Sequence, residues 1–496
     1  MSIIFDLTLI TYDDIEELKA KRICYHCVNE PFLKNEVRKS GKRLKCSYCE
    51  NVDRAYKLGI MASIIENAFE RHYQPTATQP NYLQEAMLRD KESSYYWERD
   101  GEKTKDAIEM AADIPEQAAS DIQQILEFKY YDYEGIEEET AFDEETCYEP
   151  KGFNDDFWQE QWRQFEESLI TEARFFNQTG LAHLKTIFSD IDNLRTQDNR
   201  SVFVDAGPNT LISELYRARV FQADNTLEEA LKWPDKQLGP PPSFLAIAGR
   251  MNAKGISVFY GANNVDVALA EVRPPVGSQV AVARFEIIKH LRLLDLSALS
   301  VIAAPGSIFD ETYAGRIEKA TFLRNLSVRL TKPIMPNDEA FEYLTTQAIA
   351  DFLASEVELN LDGIIFPSAQ VPGTSLNIVL FHKASLVEDL NIPQGTEITA
   401  SLGEYDADGW QTWYSVVEKL PKKIDENIKP DREDDFKLLF GEDWMPLETT
   451  SREPSLKIDI ESIFIHQIKS VVFTYEKFPV SRYRTNKSEW VNIKDE

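Results

Sequence analysis

Six polar side chains between positions 217 and 377 are of types that can bind a nucleotide and stabilise a cation. They are Arg217, Arg250, Tyr260, Glu271, Ser368 and Asn377. A carboxylate can stabilise the ribosyl cation that forms when a glycosidic bond breaks, and it can hold a ribose hydroxyl. An arginine can bind a pyrophosphate with two parallel hydrogen bonds. An aromatic ring can stack on nicotinamide, and a hydroxyl can bond its amide or a phosphate. The set therefore suits cleavage of the nicotinamide N-glycosidic bond of NAD.

Two other kinds of nucleotide chemistry lose support from the same sequence. It contains no Gly-x4-Gly-Lys loop and no Gly-x-Gly-x-x-Gly segment after a strand. These loops cradle phosphates in nucleoside triphosphatases and in dinucleotide-dependent redox enzymes. Neither class is favoured here.

The stretch 250–275 predicts a compact turn, strand and helix that would position three of the six side chains. Ile256–Tyr260 is a β-prone run. Asn263 or Asn264 can cap the following helix, because a short amide side chain accepts a bond from its first N–H groups. Glu271 falls in the last turn of that helix, where a negative charge opposes the helix dipole. This unfavourable position indicates a role other than local stability.

Neighbouring segments predict a mixture of short strands and helices. Leu215–Phe221 reads as a strand that places Arg217 on a face shared with apolar groups, and Gly363–Pro367 reads as a buried strand. Helices are predicted over Val52–Tyr73 and over 115–128. The fold class is therefore α+β.

Four of the five cysteines form two Cys-x-x-Cys pairs separated by 18 residues. They are Cys24 with Cys27 and Cys46 with Cys49. This spacing is typical of a zinc knuckle or ribbon, and four thiolates complete the tetrahedral shell of a structural zinc without an open catalytic position. The alternative is four reduced cysteines in a small core. His26 is a substitute ligand or an exposed neighbour.

The composition of the 496-residue chain bounds its partners and its location. The formal net charge is -30, from 84 acidic and 54 basic residues. This balance disfavours nucleic acid as the main partner, although residues 19–57 form a local basic segment. No apolar run is long enough to span a bilayer, and the first residues lack the pattern of a secretory signal. We expect a cytoplasmic protein with no membrane partner.

Four regions are expected along the chain. Residues 1–150 form a helical domain with the zinc knuckles, 153–200 form connecting helices, 201–385 form the catalytic domain and 386–496 form a C-terminal extension. The extension carries Trp410, Trp413 and Trp444 and predicts a short strand over Ser470–Tyr475. Its aromatic residues indicate packing against the catalytic domain or against a partner.

Residues 213–382 resemble a RES domain, the toxin family named after arginine, glutamate and serine. The blocks that match, in order, are Leu215–Phe221, Arg250–Asn252 with Gly255, Tyr260–Ala262, Ala270–Val272 and Gly363–Ser368 with Gly373, Asn377 and Phe381. Arg217 matches the first arginine of the family, and Arg219 fits the same position. Met251 stands where the family usually has tryptophan. Residues 18–150 are similar to the HEPN/RES N-terminal domain, which is helical and carries zinc knuckles.

The resemblance implies a fold similar to ADP-ribosyltransferase toxins and an enzyme that degrades NAD by phosphorolysis or hydrolysis. Arg217 and Arg250 would bind the phosphates of NAD or an inorganic phosphate acceptor. Tyr260 would stack on nicotinamide, and Glu271 would hold the ribose and stabilise the cation. Ser368 would bond the ligand, and Asn377 would bind it or shape the pocket.

Three alternatives stay open at this stage. The chain could transfer ADP-ribose to a protein, or it could be a zinc-stabilised binding module with an inactive RES domain. An RNA-directed N-terminal domain is the third, although Arg71 and His72 are adjacent and do not match the spaced pair of HEPN nucleases. A toxin that degrades NAD also needs restraint, either from an inhibitory protein, as in toxin–antitoxin pairs, or from its own N-terminal domain. The sequence does not decide whether the chain forms a homo-oligomer.

Overall fold

The structure is a computed structural model. It describes residues 11–482 except 91–92, 132–139, 153–154, 173, 175, 333–338, 372, 408, 422–451 and 473. Trp444, which the sequence assigned to the extension, lies outside the described residues. The chain divides into two compact units, one of residues 1–204 and 294–360 and one of residues 205–293 and 361–496. Residues 294–360 therefore belong to the first unit, and the assignment of 201–385 to one catalytic domain stays a prediction.

The first unit is mainly helical. In chain order its elements are α1 (Tyr12–Ala20), β1 (Arg22–Cys24), α2 (Pro31–Ser40), β2 (Lys42–Lys45), β3 (Val52–Lys57), α3 (Leu58–His72), β4 (Tyr73–Pro75), α4 (Tyr82–Arg89), β5 (Glu102–Lys103), α5 (Thr104–Ala112), α6 (Glu116–Tyr130), β6 (Cys147–Pro150), α7 (Asp156–Thr171), α8 (Gln178–Ile187) and β7 (Arg195–Thr196). The strand β8 (Phe203–Ala206) follows at the boundary between the units. The helix predicted over Val52–Tyr73 is wrong in its first turns, because Val52–Lys57 pairs with both β1 and β2 as the central strand of a small antiparallel sheet.

The second unit begins with β9 (Glu214–Phe221), α9 (Asp224–Lys232), α10 (Pro234–Gln237), β10 (Phe259–Ala262), α11 (Val265–Glu271), β11 (Gln279–Ile287) and β12 (Leu291–Asp295). The chain then adds α12 (Leu296–Leu299), β13 (Ile302–Ala303), α13 (Tyr313–Thr331) and α14 (Glu339–Ser355) to the first unit. It returns to the second unit with β14 (Gly363–Pro367), β15 (Leu376–Leu380), β16 (Glu397–Asp406), β17 (Gly409–Lys419) and β18 (Leu456–Gln467).

The main sheet of the protein has the strand order β18-β11-β9-β10-β15-β14-β12-β8. Strands β18, β11 and β9 pair along most of their length in antiparallel register, and so do β10, β15 and β14. Between these two groups, β9 and β10 pair at a single position, Tyr216 with Ala262. The helices together with this sheet confirm the α+β class.

The C-terminal extension contributes to this sheet in a way that the sequence did not predict. Its strand β18 (Leu456–Gln467) pairs with β11 of the main sheet, whereas the described residues of Ser470–Tyr475 are not in a strand. A strand gains its stability from the partner beside it, so a short β-prone run alone is a weak predictor. Residues 386–482 therefore include part of the core of the second unit.

Candidate functional site

Glu271 lies at the centre of a hydrogen-bonded cluster that joins three of the predicted residues. Its Oε1 accepts a bond of 2.7 Å from the Ser368 hydroxyl and one of 2.8 Å from the Asn377 side-chain amide. Ser368 and Asn377 are 9% and 5% exposed, whereas Glu271 is an exposed residue. Two buried donors thus fix one oxygen of a carboxylate whose other oxygen has no bond within the described residues.

Ser368 uses its whole hydrogen-bonding capacity inside this cluster. A hydroxyl has one proton and two acceptor positions. The proton goes to Glu271, and the oxygen accepts bonds of 3.2 Å and 3.3 Å from the backbone N–H groups of Gln370 and Val371. The prediction that Ser368 bonds a ligand stays a prediction, and the structure adds that its hydroxyl donates to Glu271.

Local sequence explains why Glu271 reaches this position. Asn264 caps α11 by accepting a bond of 2.9 Å from the Val267 N–H, which confirms one of the two predicted caps. Val267 and Ala268 face a small apolar cluster on the sheet that includes Ala218 of β9 and Ala262 of β10. This packing places the C-terminal end of α11 above Asn377, which pairs with Ala262 in the register of β10 and β15.

Asn263, the other predicted cap, has a different role. Its Oδ1 accepts from the Leu376 N–H at 3.0 Å, and its amide donates to the Thr374 carbonyl at 3.0 Å. Asn263 thereby fastens the loop between Ser368 and Asn377 to the start of α11. Nothing in a single sequence distinguishes a capping asparagine from one that fastens a distant loop.

Arg217 lies at the point where β9 and β10 separate. One guanidinium nitrogen, Nη1, donates to the Tyr260 carbonyl at 3.1 Å, and its Cζ is 5.0 Å from the centre of the Phe259 ring. No carboxylate of the described residues forms an ion pair with it. Burial of the half-buried side chain, together with the charge of Arg219, lowers the pKa of Arg217 to about 10. Arg217 is thus a cation without a neutralising partner in the described residues.

Arg219 differs from Arg217 in its surroundings. Its Nη1 donates to the backbone carbonyl and, at 3.2 Å, to the side-chain oxygen of Gln237. Arg219 therefore has a structural role at α10, and Arg217 is the better candidate for the first arginine of the site.

Tyr260 anchors the loop that carries Arg250. Its hydroxyl donates to Asn252 Oδ1 at 2.9 Å and accepts from the Met251 N–H at 3.0 Å. The predicted strand over Ile256–Tyr260 is shifted, since β10 begins only at Phe259 and its earlier residues belong to this loop. A Cβ at Gly249 would lie 2.7 Å from the Tyr260 hydroxyl oxygen, so only glycine fits beside this anchor. Tyr260 thus uses its hydroxyl for positioning, while its ring is half-buried.

Asn252 is a positioning residue that the sequence did not single out for the site. It is 4% exposed, and its amide donates to the carbonyls of Ile247, Ala253 and Ile256 at 2.9, 3.2 and 3.0 Å. Its presence in the matched block next to Arg250 was the available signal. The loop of Arg250 is therefore held from inside by one asparagine and one tyrosine hydroxyl.

The register of the sheet relates these groups to one another. Tyr260 pairs with Val379 and Ala262 pairs with Asn377, so Tyr260 and Asn377 share a face as diagonal neighbours. Tyr216 pairs with Ala262 and lies on this face, so Arg217, the next residue of β9, lies on the opposite face. Its guanidinium reaches the edge of β10, where it bonds the Tyr260 carbonyl. Side-chain hydrogen bonds join Glu271 to Ser368 and Asn377. Arg217 bonds the Tyr260 carbonyl, and the Tyr260 hydroxyl bonds the loop of Arg250.

A second candidate site lies in the first unit, where the four clustered cysteines converge. Their sulfur atoms all lie within 4.8 Å of one another, with Sγ–Sγ distances of 3.5 Å between Cys24 and Cys49 and 3.8 Å between Cys27 and Cys46. A tetrahedral zinc with bonds of 2.3 Å holds its sulfur ligands about 3.8 Å apart. His26 lies outside the cluster and contacts Asp53 at 3.3 Å. The donor set fits a four-thiolate structural zinc.

Burial and hydrogen bonds shift the pKa values of three of these thiols. Burial raises the pKa of the Cys24 and Cys27 thiols above their usual range. For Cys49, burial acts in the same direction, but bonds from the Asn51 backbone and from the other cysteines lower the pKa to about 7. A bound metal would supply the positive charge that keeps all four sulfurs deprotonated.

The part of the chain that carries the Glu271 cluster is similar to a known family. Residues 215–401 match the RES domain. All six predicted site residues fall within this match, and the RES domain is associated with toxins that act on NAD. No curated protein matches the chain.

None of the helices in the described residues combines the length and the apolar character that crossing a bilayer requires.

Proposed function

We propose that this protein degrades NAD by breaking the bond between nicotinamide and ribose. The observation that carries the proposal is the Glu271 carboxylate, which is oriented through Oε1 by two buried donors and keeps Oε2 available. A carboxylate held in this way can stabilise positive charge at the anomeric carbon and hold a ribose hydroxyl.

The bond cleavage gives each remaining residue a role. The C–N bond breaks, its electron pair leaves with nicotinamide, and a phosphate or water oxygen then bonds the anomeric carbon. Arg217 and Arg250 would bind the pyrophosphate or the phosphate acceptor, and the Tyr260 ring would stack on nicotinamide. The cationic Arg217 without a carboxylate partner in the described chain supports an anionic ligand at that end of the site.

The wider context follows from the same resemblance. We propose an ADP-ribosyltransferase-like fold for the RES region and a HEPN/RES N-terminal domain with structural zinc for the start of the chain. An NAD-degrading toxin would act in the cytoplasm and would be restrained by an inhibitory partner or by its own N-terminal domain.

The test is to incubate purified protein with NAD, with and without inorganic phosphate, and to measure nicotinamide by chromatography. ADP-ribose-1″-phosphate would identify phosphorolysis, and ADP-ribose would identify hydrolysis. Labelled protein in a lysate supplied with labelled NAD would instead indicate transfer. Glu271→Gln should abolish release, whereas the matched change Glu286→Gln, at an exposed glutamate of β11, should not.

If wild-type protein releases no nicotinamide under any of these conditions, the proposal is wrong. NAD binding without cleavage would then favour a binding module with an inactive RES domain.

A further inference from the structure

The zinc-knuckle region carries a concentration of positive charge that NAD cleavage does not use. Residues 19–57 contain eleven Lys and Arg against four Asp and Glu, in a chain whose formal net charge is -30. Seven of these cations are exposed and belong to the neighbouring elements α2, β2 and β3. We call five of them the basic face: Arg38, Lys39, Arg43, Lys45 and Arg54.

The fold brings the members of the basic face together. Arg43 of β2 stands directly opposite Arg54 of β3, and Lys45 follows two residues along on the same side. Arg54 also donates to the Lys39 carbonyl at 2.8 Å, which joins the C-terminal end of α2 to the sheet. Strand β2 is an edge strand in the order β1-β3-β2, so its outer side is open.

These cations are poorly neutralised even though acidic residues are abundant in the chain. Among the described residues, no carboxylate forms an ion pair with the side chain of Arg38, Lys39, Arg43 or Arg54, although Asp53 accepts a bond from the Arg54 backbone N–H. The single ion pair of the face is Lys45 with Glu50 at 3.6 Å, and both side chains are more than half exposed. Like charges directly opposite each other destabilise a strand pair. The arrangement is therefore unfavourable for folding and indicates an anionic ligand.

An aromatic platform adjoins the basic face. The rings of Tyr25 and His26 lie 4.1 Å apart, and the Arg38 guanidinium carbon is 5.9 Å from the centre of the Tyr25 ring. Asp53 is the acidic group next to this platform. It accepts bonds from the Tyr25 hydroxyl at 3.1 Å and from His26 Nε2 at 3.3 Å, and these bonds fix both rings. Exposed rings beside lysines and arginines are the means by which proteins hold unpaired bases next to a charged backbone.

We propose that the basic face binds single-stranded nucleic acid, with phosphates along β2 and α2 and a base on the His26–Tyr25 platform. The overall charge predicted the opposite, but charges farther away than about 8 Å are largely screened at physiological salt. An acidic protein would match the charge but would not use the platform. A zinc ion bound by the four cysteines would hold Cys24 at the end of β1 and Cys46 after β2, and so would stabilise the sheet that carries the basic face.

The test is fluorescence anisotropy of labelled oligo-U and oligo-dT with the full-length protein between 50 and 300 mM KCl. Five phosphate contacts predict a slope of about -3.5 in log K against log salt, because each contact on a single strand contributes about -0.7. The double variant Arg43→Ala, Lys45→Ala should reduce the slope to about -2. Comparison of the two oligonucleotides shows whether the ribose hydroxyl contributes.

Matched controls separate binding from folding and from catalysis. Lys103→Ala removes an exposed lysine of the same unit that pairs with Glu145 at 2.9 Å, and it should leave binding unchanged. The double variant should keep its zinc content and its NAD cleavage rate. If it loses zinc, Arg38→Gln, Lys39→Gln on α2 replaces it and should lower the slope by the same amount.

Three results would overturn the proposal. They are no binding of either oligonucleotide at 50 mM KCl, binding that the double variant and its replacement leave unchanged, and competition by poly-glutamate as strong as by unlabelled oligo-U at equal charge. The last result would assign the face to an acidic protein. None of these results depends on NAD cleavage.

Discussion

Removing the Ser368 hydroxyl tests whether Glu271 depends on its two buried donors. In Ser368→Ala the bond of 2.7 Å to Glu271 Oε1 is lost, and only the Asn377 amide still holds that oxygen. A hydrogen bond to a charged group contributes about 1.5–3 kcal/mol. If this stabilisation is required in the transition state, kcat should fall roughly 10- to 150-fold, since each 1.36 kcal/mol is a factor of ten.

The division of this loss between kcat and KM distinguishes positioning from ligand binding. The single proton of Ser368 goes to Glu271, so KM for NAD should change little. If Ser368 bonds NAD directly, as the family resemblance implied, KM should rise instead. The assay is steady-state nicotinamide release over a range of NAD concentrations, with thermal unfolding of each variant measured in parallel.

Two further substitutions complete this experiment. Ser368→Thr keeps the hydroxyl and should recover much of the lost rate. Ser375→Ala changes a buried serine of the same loop, whose backbone carbonyl accepts the Ser368 N–H at 2.9 Å, and should leave the rate near that of the wild type. A rate for Ser368→Ala within twofold of the wild type would refute the positioning role.

Three other predictions follow from the described contacts. Tyr260→Phe keeps the ring but loses both hydroxyl bonds. It should lower kcat/KM several-fold, because a lost hydrogen bond costs about 1 kcal/mol, and it should speed proteolysis of the Arg250 loop. Unchanged proteolysis would mean that the hydroxyl does not anchor the loop. Arg217→Met removes a half-buried cation that has no described carboxylate partner, so it should abolish most NAD cleavage yet raise Tm by about 2–4 °C. A lower Tm with cleavage retained would contradict the assignment of Arg217 to ligand binding. Cys46→Ser should lower the zinc content, measured by mass spectrometry, below one ion per chain. It should also destabilise α6, because Tyr48 of the cysteine cluster donates to Asp121 of that helix at 2.8 Å. Full zinc occupancy in the variant would exclude the four-cysteine site.

Local features of the site could be predicted from the sequence because they depend on neighbouring residues. The cap at Asn264, the helix that ends at Glu271 and the convergence of two Cys-x-x-Cys pairs are features of this kind. The bond from Ser368 to Glu271 joins residues 97 positions apart, and it exists because the register of β10 and β15 brings Asn377 beside Ala262. Strand register over such distances is set by tertiary pairing, which one sequence does not reveal.

The same reasoning explains the errors in the predicted elements. Val52–Lys57 reads as the start of an amphipathic helix, but it becomes a strand because β1 and β2 pair on either side of it. Asn252 has no periodic or spacing signal beyond its place in the block next to Arg250, and its positioning role appears in the structure, where its amide bonds three carbonyls of one loop. Tertiary contacts decided each of these cases.

The most direct test of the central claim is nicotinamide release from NAD by the wild-type protein and by Glu271→Gln, compared at equal zinc content. We expect rapid release by the wild type, dependent on phosphate if the reaction is phosphorolysis, and a loss of at least two orders of magnitude in the variant. Equal release by both proteins, or none by the wild type, would contradict the assignment of Glu271 as the residue on which NAD cleavage depends.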